Sequence, residues 1–405
     1  MKRQIRERLS AMFVAKGLES SEKGLERAYL PELDSLRFFA FLLVFGFHKG
    51  LPALGGWIRD IFAATIDLPW LLINGSGGFG GPLGRTVDHA FLRNGWIGVN
   101  LFFCLSGFII TRLLIQEEDR NGRIDWKAFW IRRALRIWPL YYVIYVIGFV
   151  GFPGGGYLSG VGMGSPHAPW FALFLGNWSM IVHGPIGSDI LSVLWSVCVE
   201  EQFYLVIPIV LAVLGRRGRI AFCVAGIVAA ILRRQMLADA GVRQYMMTYD
   251  SLAQTDAILS GVLVATLLQK PNHRAIAERL TRVVLAWAVL PLTLVLLTRS
   301  HLGHEIAVRR VWDPVFICIV ASMWVLVGAV GTPRWSRVMT VPILVFLGKI
   351  SYGLYMWHEV MLSLFGGGFL TLGAVVATAW ASYRFLERPI LKFKHRWSRV
   401  ESRPV

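Results

Sequence analysis

Arg37 and His48 enclose ten residues, FFAFLLVFGF, all of them apolar or glycine. An ionisable pair in a hydrophobic helix is costly to keep in lipid and points to function first. Eleven residues at ~1.5 Å each place the imidazole roughly 16 Å beyond the guanidinium, about halfway through a ~30 Å hydrocarbon core. An imidazole at that depth is a candidate for moving a proton, with a fixed positive charge toward one membrane face. The plainer reading is a structural histidine bonded to a neighbouring helix.

Two later segments repeat the pattern. LWSVCVEEQFYLVIP carries Glu200 and Glu201 in an otherwise apolar helix. Adjacent residues point about 100° apart, so at most one of the two faces a given cavity. Ser196, Glu200 and Tyr204 form an i, i+4, i+8 stripe, which on an apolar helix must face protein or water. Glu200 is therefore the expected cavity carboxylate, able to orient a histidine or to act as an acid. In LGKISYGLYMWHEVM, Ser351, Tyr355 and His358 share a face, with His358 about 14 Å beyond Lys349 by helix rise. Two histidines and a carboxylate at comparable depth suggest a chemical centre. No HxxxH or ExxH pair fixes metal ligands on one helix, so no metal is expected.

FWIRRALRIWPLYY clusters Arg132, Arg133 and Arg136 at a helix start, with Arg133 and Arg136 on one face by their i, i+3 spacing. Guanidinium forks grip phosphate bidentately, which suits a phosphorylated donor arriving from the cytosol. The same cluster also reads as plain topology anchoring. Ser106-Gly107 in GVNLFFCLSGFIIT is a small, hydrogen-bonding notch for close helix approach.

The elements that must hold these groups are membrane spans. The chain has 405 residues, 55% hydrophobic, with 16 Trp and 25 Phe, and a mean hydropathy of +0.54. Repeated apolar runs near span length make it an all-α, polytopic membrane bundle with no room for a sizeable soluble domain. Ten spans are expected, near 36–54, 95–115, 135–152, 193–214, 220–237, 251–268, 283–298, 312–330, 342–364 and 367–385. A basic arm (1–34) precedes the transmembrane domain (35–386) and a basic tail (387–405) follows it. The positive-inside rule puts both termini in the cytoplasm, together with the clusters at 120–136, 216–219, 270–282 and 334–337. Trp170 to Ile181 is too short and polar to cross and reads as a re-entrant or interfacial outer piece.

The net charge of +17 flanks apolar runs rather than forming a nucleic-acid surface. Arg233, Arg234, Arg309 and Arg310 fit the scheme poorly, since they fall near outer ends. The loop containing GSGGFGGPLG lacks the GK[ST] of a phosphate-binding loop and reads as an irregular outer connection. Cys104, Cys198, Cys223 and Cys318 share no ligand spacing and read as packing residues. No small-residue cleavage site follows the charged first 30 residues, so no removable signal peptide is expected.

Taken together, LDSLRFFAFLLVFGFH, GVNLFFCLSGFIIT, FWIRRALRIWPLYY, LWSVCVEEQFYLVIP, ISYGLYMWH and YRFLERP resemble, in order, the motifs of the acyltransferase 3 family of membrane-bound acyltransferases. The resemblance implies a ten-span bundle of the inner (plasma) membrane that moves an acyl group, usually acetyl from acetyl-CoA, to a sugar hydroxyl. The acceptor would belong to a cell-envelope polysaccharide, a lipid-linked oligosaccharide or a glycosylated small molecule. Acyl-CoA would be a donor substrate, with no tightly bound cofactor.

Carried over by motif, Arg37 and His48 match the paired residues of the first span, His48 being the base or acyl relay. Arg132, Arg133 and Arg136 match the motif associated with the donor, and Glu200 and Glu201 the acidic pair. Ser351, Tyr352 and His358 match the late-span motif; Ser106, Ser196, Tyr204 and Tyr355 are supporting residues. Asn100 stands where the family often has Asp, and Gln254 where it often has Arg. Some relatives carry a C-terminal extracytoplasmic domain that receives the acyl group. Here the acceptor is expected to be acylated directly or through a separate extracytoplasmic transferase. Competing readings are a proton-coupled secondary transporter, which also uses intramembrane His and Glu, and a non-catalytic scaffold on the same fold.

Overall fold

The computed structural model describes residues 29–48, 95–151, 160–281, 288–290, 292–293 and 306–393, without the side chains of 306–310. The N-terminal arm up to residue 28, the glycine-rich loop, most of the expected 283–298 span, and the tail beyond residue 393 lie outside them, as do the side chains of Arg309 and Arg310.

Every regular element among the described residues is helical. The principal helices are α1 (Pro31–Phe47), α2 (Ile97–Asn121), α3 (Trp126–Val150), α4 (Leu194–Val213), α5 (Arg216–Asp239), α6 (Ser251–Leu267), α7 (Pro271–Leu280), α8 (Ile306–Val330), α9 (Pro342–Lys349), α10 (Ser351–Phe365) and α11 (Phe369–Ser382). Six helical stretches are long and apolar enough to cross a membrane, and the pair α6–α7, bent by 114°, gives a seventh if counted as one broken span. The chain is a membrane protein; the described helices do not by themselves establish the ten spans expected from hydropathy. Two departures explain part of the difference. Helix α1 has 17 residues up to Phe47. The expected 342–364 span is broken at Ile350 into α9 and α10.

Local chemistry sets the helix ends. Pro31 occupies the first turn of α1, beside Glu32 and Asp34, where carboxylates complement the helix dipole. Asp125 caps α3 by accepting the amide of Ala128 at 3.0 Å. Asp250 caps α6 through the amides of Leu252 and Ala253 at 2.9 and 3.1 Å. Gly122 ends α2 in the left-handed region, φ 71°.

Helix α2 runs through the middle of the bundle, touching α1, α4, α6 and α8. Its contact with α6 is backbone-close: a Cβ on Gly107 would lie 2.1 Å from the carbonyl oxygen of Ile258, and one on Gly261 2.0 Å from that of Cys104. The Ser106-Gly107 notch thus works as the small-residue seam expected of it. Around Tyr141, Phe41, Phe45, Phe149 and Phe171, all fully buried, one aromatic core joins α1, α3 and the outer segment.

That outer segment consists of two short helices, Ala168–Ala172 and Gly176–Val182, neither long enough to cross. Tyr141, Tyr142 and Tyr145 of α3 donate to the carbonyls of Phe171, Ala172 and Ala168. Gln202 of α4 donates to Phe174 and Asn177. The irregular backbone is tolerated because protein side chains satisfy it.

Two of the arginines that fit the topology poorly, Arg233 and Arg234, have specific partners. Arg234 of α5 pairs with Asp256 of α6 at 2.6 Å, both nearly fully buried, and also donates to the carbonyl of Ala253. Arg233 pairs with Asp250 at 2.9 Å. They fasten two adjacent helices.

Candidate active site

Helix α1 delivers two candidate side chains, Arg37 and His48, at different depths. His48 caps α1, its amide donating to the carbonyl of Val44 at 3.1 Å. Its Nδ1 is in ion-pair contact with Oε1 of Glu359 on α10. The same carboxylate oxygen lies 3.4 Å from Nε2 of His358, and the two imidazoles stand edge to face with centroids 5.2 Å apart. Nδ1 of His358 faces the carbonyl of Tyr355 at 2.5 Å, which assigns that nitrogen its hydrogen. Nε2 of His358 is then the nitrogen turned to Glu359, and it is buried without a hydrogen-bond partner among the described residues. Two imidazoles therefore flank one carboxylate, an arrangement that balances charge when a proton is shared among them.

Exposure distinguishes the three residues. The His358 side chain is 0% exposed and that of Glu359 6%, whereas His48 is 26% exposed. Of the three, only His48 has a partly exposed side chain. Phe41 packs edge-on against His358 and Phe47 against His48, giving the cluster apolar walls.

Glu359 is the correction to the expectation that Glu200 orients His48. Glu200 accepts the phenol of Tyr204 at 2.9 Å, and Tyr204 shares a 2.5 Å hydrogen bond with Ser106 of α2. Its charged neighbours are Arg37 and Arg133. Arg37 therefore belongs with Glu200, Asp34 and Arg136, one level away from the histidine that shares its helix. The Nε of Arg37 is buried without a hydrogen-bond partner among the described residues.

The expected split of the acidic pair is observed: Glu201 turns away to accept Nε1 of Trp138 at 3.0 Å. Ser196, one turn before Glu200, meets the phenol of Tyr355 at 2.8 Å, and that phenol also donates to the carbonyl of Val193. Tyr355 and His358 are ring neighbours, centroids 5.4 Å apart. The stripe of α4 and the face of α10 thus join, linking the two levels through Ser196 and Tyr355. Tyr352 donates to the carbonyl of Ile137, pinning α10 to α3, and Ser351 is buried at the first turn of α10.

Two of the three clustered arginines already hold carboxylates. Arg132 pairs with Glu117 of α2 at 2.9 Å, and Arg136 with Glu387 at 3.5 Å. Glu387 reaches inward from a π-helical turn, Tyr383–Glu387, where one extra residue per turn re-aims the side chain. Arg133 lies against the rings of Phe129 and Tyr204, 5.4 and 5.5 Å from their centroids.

Sequence reasoning missed Glu359, Glu117 and Glu387. Each follows the rule that selected Glu200, a carboxylate in or beside an apolar helix, and Glu359 adjoins a histidine already chosen. Ligand atoms of His48, His358 and Glu359 lie within 4.8 Å of one another, close enough to gather around an ion. One-helix spacing did not reveal this grouping because its members come from two helices.

The profile of a family described as an acyltransferase domain matches residues 30–386. A Staphylococcus aureus (strain COL) protein provisionally named an O-acetyltransferase is 28% identical, the match covering 76% of this chain and 55% of that protein. The peptidoglycan O-acetyltransferase OatA of Listeria monocytogenes is 24% identical over 90% of this chain and 56% of its own length. A Bacillus subtilis protein provisionally named a peptidoglycan O-acetyltransferase is 25% identical over 89% of this chain and 55% of its own length. The chain thus spans about half the length of the curated relatives it matches. No solved structure matches it.

Proposed function

The chain belongs to the acyltransferase 3 family, and from that premise we propose that it is a membrane-embedded O-acyltransferase, moving acetyl from acetyl-CoA to a sugar hydroxyl of an envelope glycan. The names of the relatives, two of which specify peptidoglycan, support a glycan acceptor. The contact that carries the reading is His48 Nδ1 on Glu359.

A carboxylate on Nδ1 fixes the imidazole tautomer, so that Nε2 presents its lone pair. In the partly exposed position of His48, that lone pair can take the proton of an acceptor hydroxyl as its oxygen attacks the thioester carbonyl. The carbon–oxygen bond forms, the carbon–sulfur bond breaks, and the proton held by His48 passes to the leaving thiolate. Glu359 steadies the imidazolium during the transfer. His358, packed behind it, holds the carboxylate in place. A relay through an acyl-imidazole uses the same residues, with Nε2 as nucleophile and the acceptor arriving second.

Arg37, Arg133 and Glu200 form a second charged level on the donor side of this centre. Arg133 is the arginine of its motif held by aromatic rings rather than a carboxylate, and is the one best able to meet the donor's phosphates. The cytoplasm would lie at the Arg132–Arg136 end and the acceptor at the His48 end.

Purified protein in lipid, given acetyl-CoA and envelope glycan, should release CoA thiol and form O-acetyl ester, and His48→Ala should abolish both. A correctly inserted His48→Ala protein with full transfer overturns the proposal. Substrate movement coupled to a proton gradient without acyl-CoA consumption would favour a transporter instead.

A further inference from the structure

A cavity of ≈ 340 Å³ opens at the end of the bundle opposite His48, between the start of α1 at Leu30, the last turns of α2, the bend between α6 and α7, and the end of α8. Small-molecule sites have volumes of this order. Its wall differs from the lipid-like packing elsewhere. Arg112, Gln116 and Asp119 enter from α2, Gln269 from the bend, and Arg274 from α7.

Arg274 is only 7% exposed. Its Nε donates to Glu278 at 2.8 Å, one turn along the same helix. Its NH1 is buried with no hydrogen-bond partner among the described residues, as are the Oε1 atoms of Gln116 and Gln269. Arg112 and Arg274 are electrostatic neighbours despite like charge, with Glu32 the acidic neighbour of Arg112. Asp119 is the wall's one carboxylate, and it belongs to an exposed residue on the rim. The inner wall therefore holds two guanidiniums, that of Arg274 paired with Glu278 through one nitrogen only, beside several unmade hydrogen bonds, which are costly unless a ligand completes them. Two guanidiniums converging on one space match a phosphate or diphosphate, and the flanking amides match the polar edge of a base or ribose.

We propose that this cavity binds the phosphorylated nucleotide end of the acyl donor. The inference rests on reading the protein as an acyl-CoA-dependent transferase, but adds a site separate from the Arg132–Arg136 motif. The two lie at the same level of α2: Gln116 of the cavity wall precedes Glu117, the carboxylate that holds Arg132. A donor anchored here would lead its thioester arm past Arg132 and Arg133, and along α1 past Arg37, toward His48 roughly 27 Å higher by helix rise from Leu30.

The test is calorimetric titration of the full chain, in phospholipid-free detergent, with adenosine 3′,5′-bisphosphate, the nucleotide end of CoA. Binding by the wild type that weakens at least tenfold in Arg274→Gln and in Arg112→Gln, with unchanged melting temperature, supports the site. Should either variant unfold, Gln269→Leu, which keeps both charges and removes an unpartnered amide from the wall, must weaken binding instead. Unchanged affinity in the folded variants overturns the proposal. So does an absence of nucleotide binding with Arg274-dependent stabilisation by phosphatidic acid vesicles, which would make the ligand a lipid phosphate. A kinetic arm separates this idea from the activity itself. Wild type should prefer acetyl-CoA over acetyl-pantetheine in KM, and Arg274→Gln should lose that preference. Nucleotide binding that depends on Arg274 in a protein without transfer would leave the site standing and overturn the transferase reading alone.

Discussion

The carboxylate of Glu359 holds Nδ1 of His48, tying the last turn of the first helix to the middle of α10. In the proposed mechanism this contact makes His48 an oriented base. His358 stands on the buried side of the same carboxylate, its Nε2 3.4 Å from Oε1.

His358→Ala should act through Glu359 rather than on the substrate. The account expects kcat to fall by roughly 10- to 100-fold, an effect of the size seen when supporting groups of a functional residue are removed, while KM for acetyl-CoA stays put. Steady-state kinetics with acetyl-CoA at saturating glycan separates the two. His358→Gln, which retains a hydrogen-bonding side chain, should recover part of the loss.

The cluster is read as a proton site although its atoms are close enough for a metal. Transfer activity should therefore be unchanged after dialysis against a strong chelator, and elemental analysis of active protein should find less than one metal ion per chain. Loss of activity on chelation with recovery on adding zinc would instead assign His48, His358 and Glu359 as ligands.

Arg234 and Asp256 form a nearly fully buried pair between α5 and α6. Removing one partner leaves an uncompensated charge, typically a cost of ~3–5 kcal/mol. Arg234→Leu should lower the melting temperature sharply, whereas replacing both residues with apolar ones of similar volume should restore most of it. Thermal unfolding in detergent reads both outcomes.

Gly107 and Gly261 set the spacing of α2 and α6. Alanine at either would push its Cβ into the facing carbonyl, at 2.1 or 2.0 Å, so the helices must part. Overpacking of this kind costs ~1–3 kcal/mol. Because α2 also carries Ser106, the bond from Ser106 to Tyr204 should loosen, and Gly107→Ala should lose both melting temperature and kcat.

Several of these features were legible in the chain. Ten residues, apolar or glycine, between Arg37 and His48 marked a buried helix bearing two ionisable groups, the Ser196, Glu200 and Tyr204 stripe marked an inward face, and Ser106-Gly107 marked a helix seam. Each is a property of one helix, which periodicity can reveal. Pairings between helices were not legible. Glu200 is the carboxylate the sequence offers for His48, and Glu359 goes unnamed, because depth along a helix can be counted, whereas the rotation of two helices about each other cannot. The same limit hid the partners of Arg233, Arg234, Arg132 and Arg136. The break at Ile350 was missed because LGKISYG keeps its apolar character across the join, and the π turn before Glu387 alters geometry without altering composition.

The central claim is tested most directly by comparing Glu359→Gln, Glu200→Gln and His48→Ala in single-turnover acetyl transfer from acetyl-CoA to glycan, each checked for correct insertion. The account predicts that Glu359→Gln lowers the rate by about 10²- to 10⁴-fold, the usual range for general acid–base catalysis. Glu359→Gln combined with His48→Ala should be no slower than His48→Ala alone, as residues acting as one unit are non-additive. Glu200→Gln should leave a larger residual rate than Glu359→Gln. Near wild-type transfer by Glu359→Gln, with Glu200→Gln as slow as His48→Ala, would contradict the account and return the orienting role to Glu200.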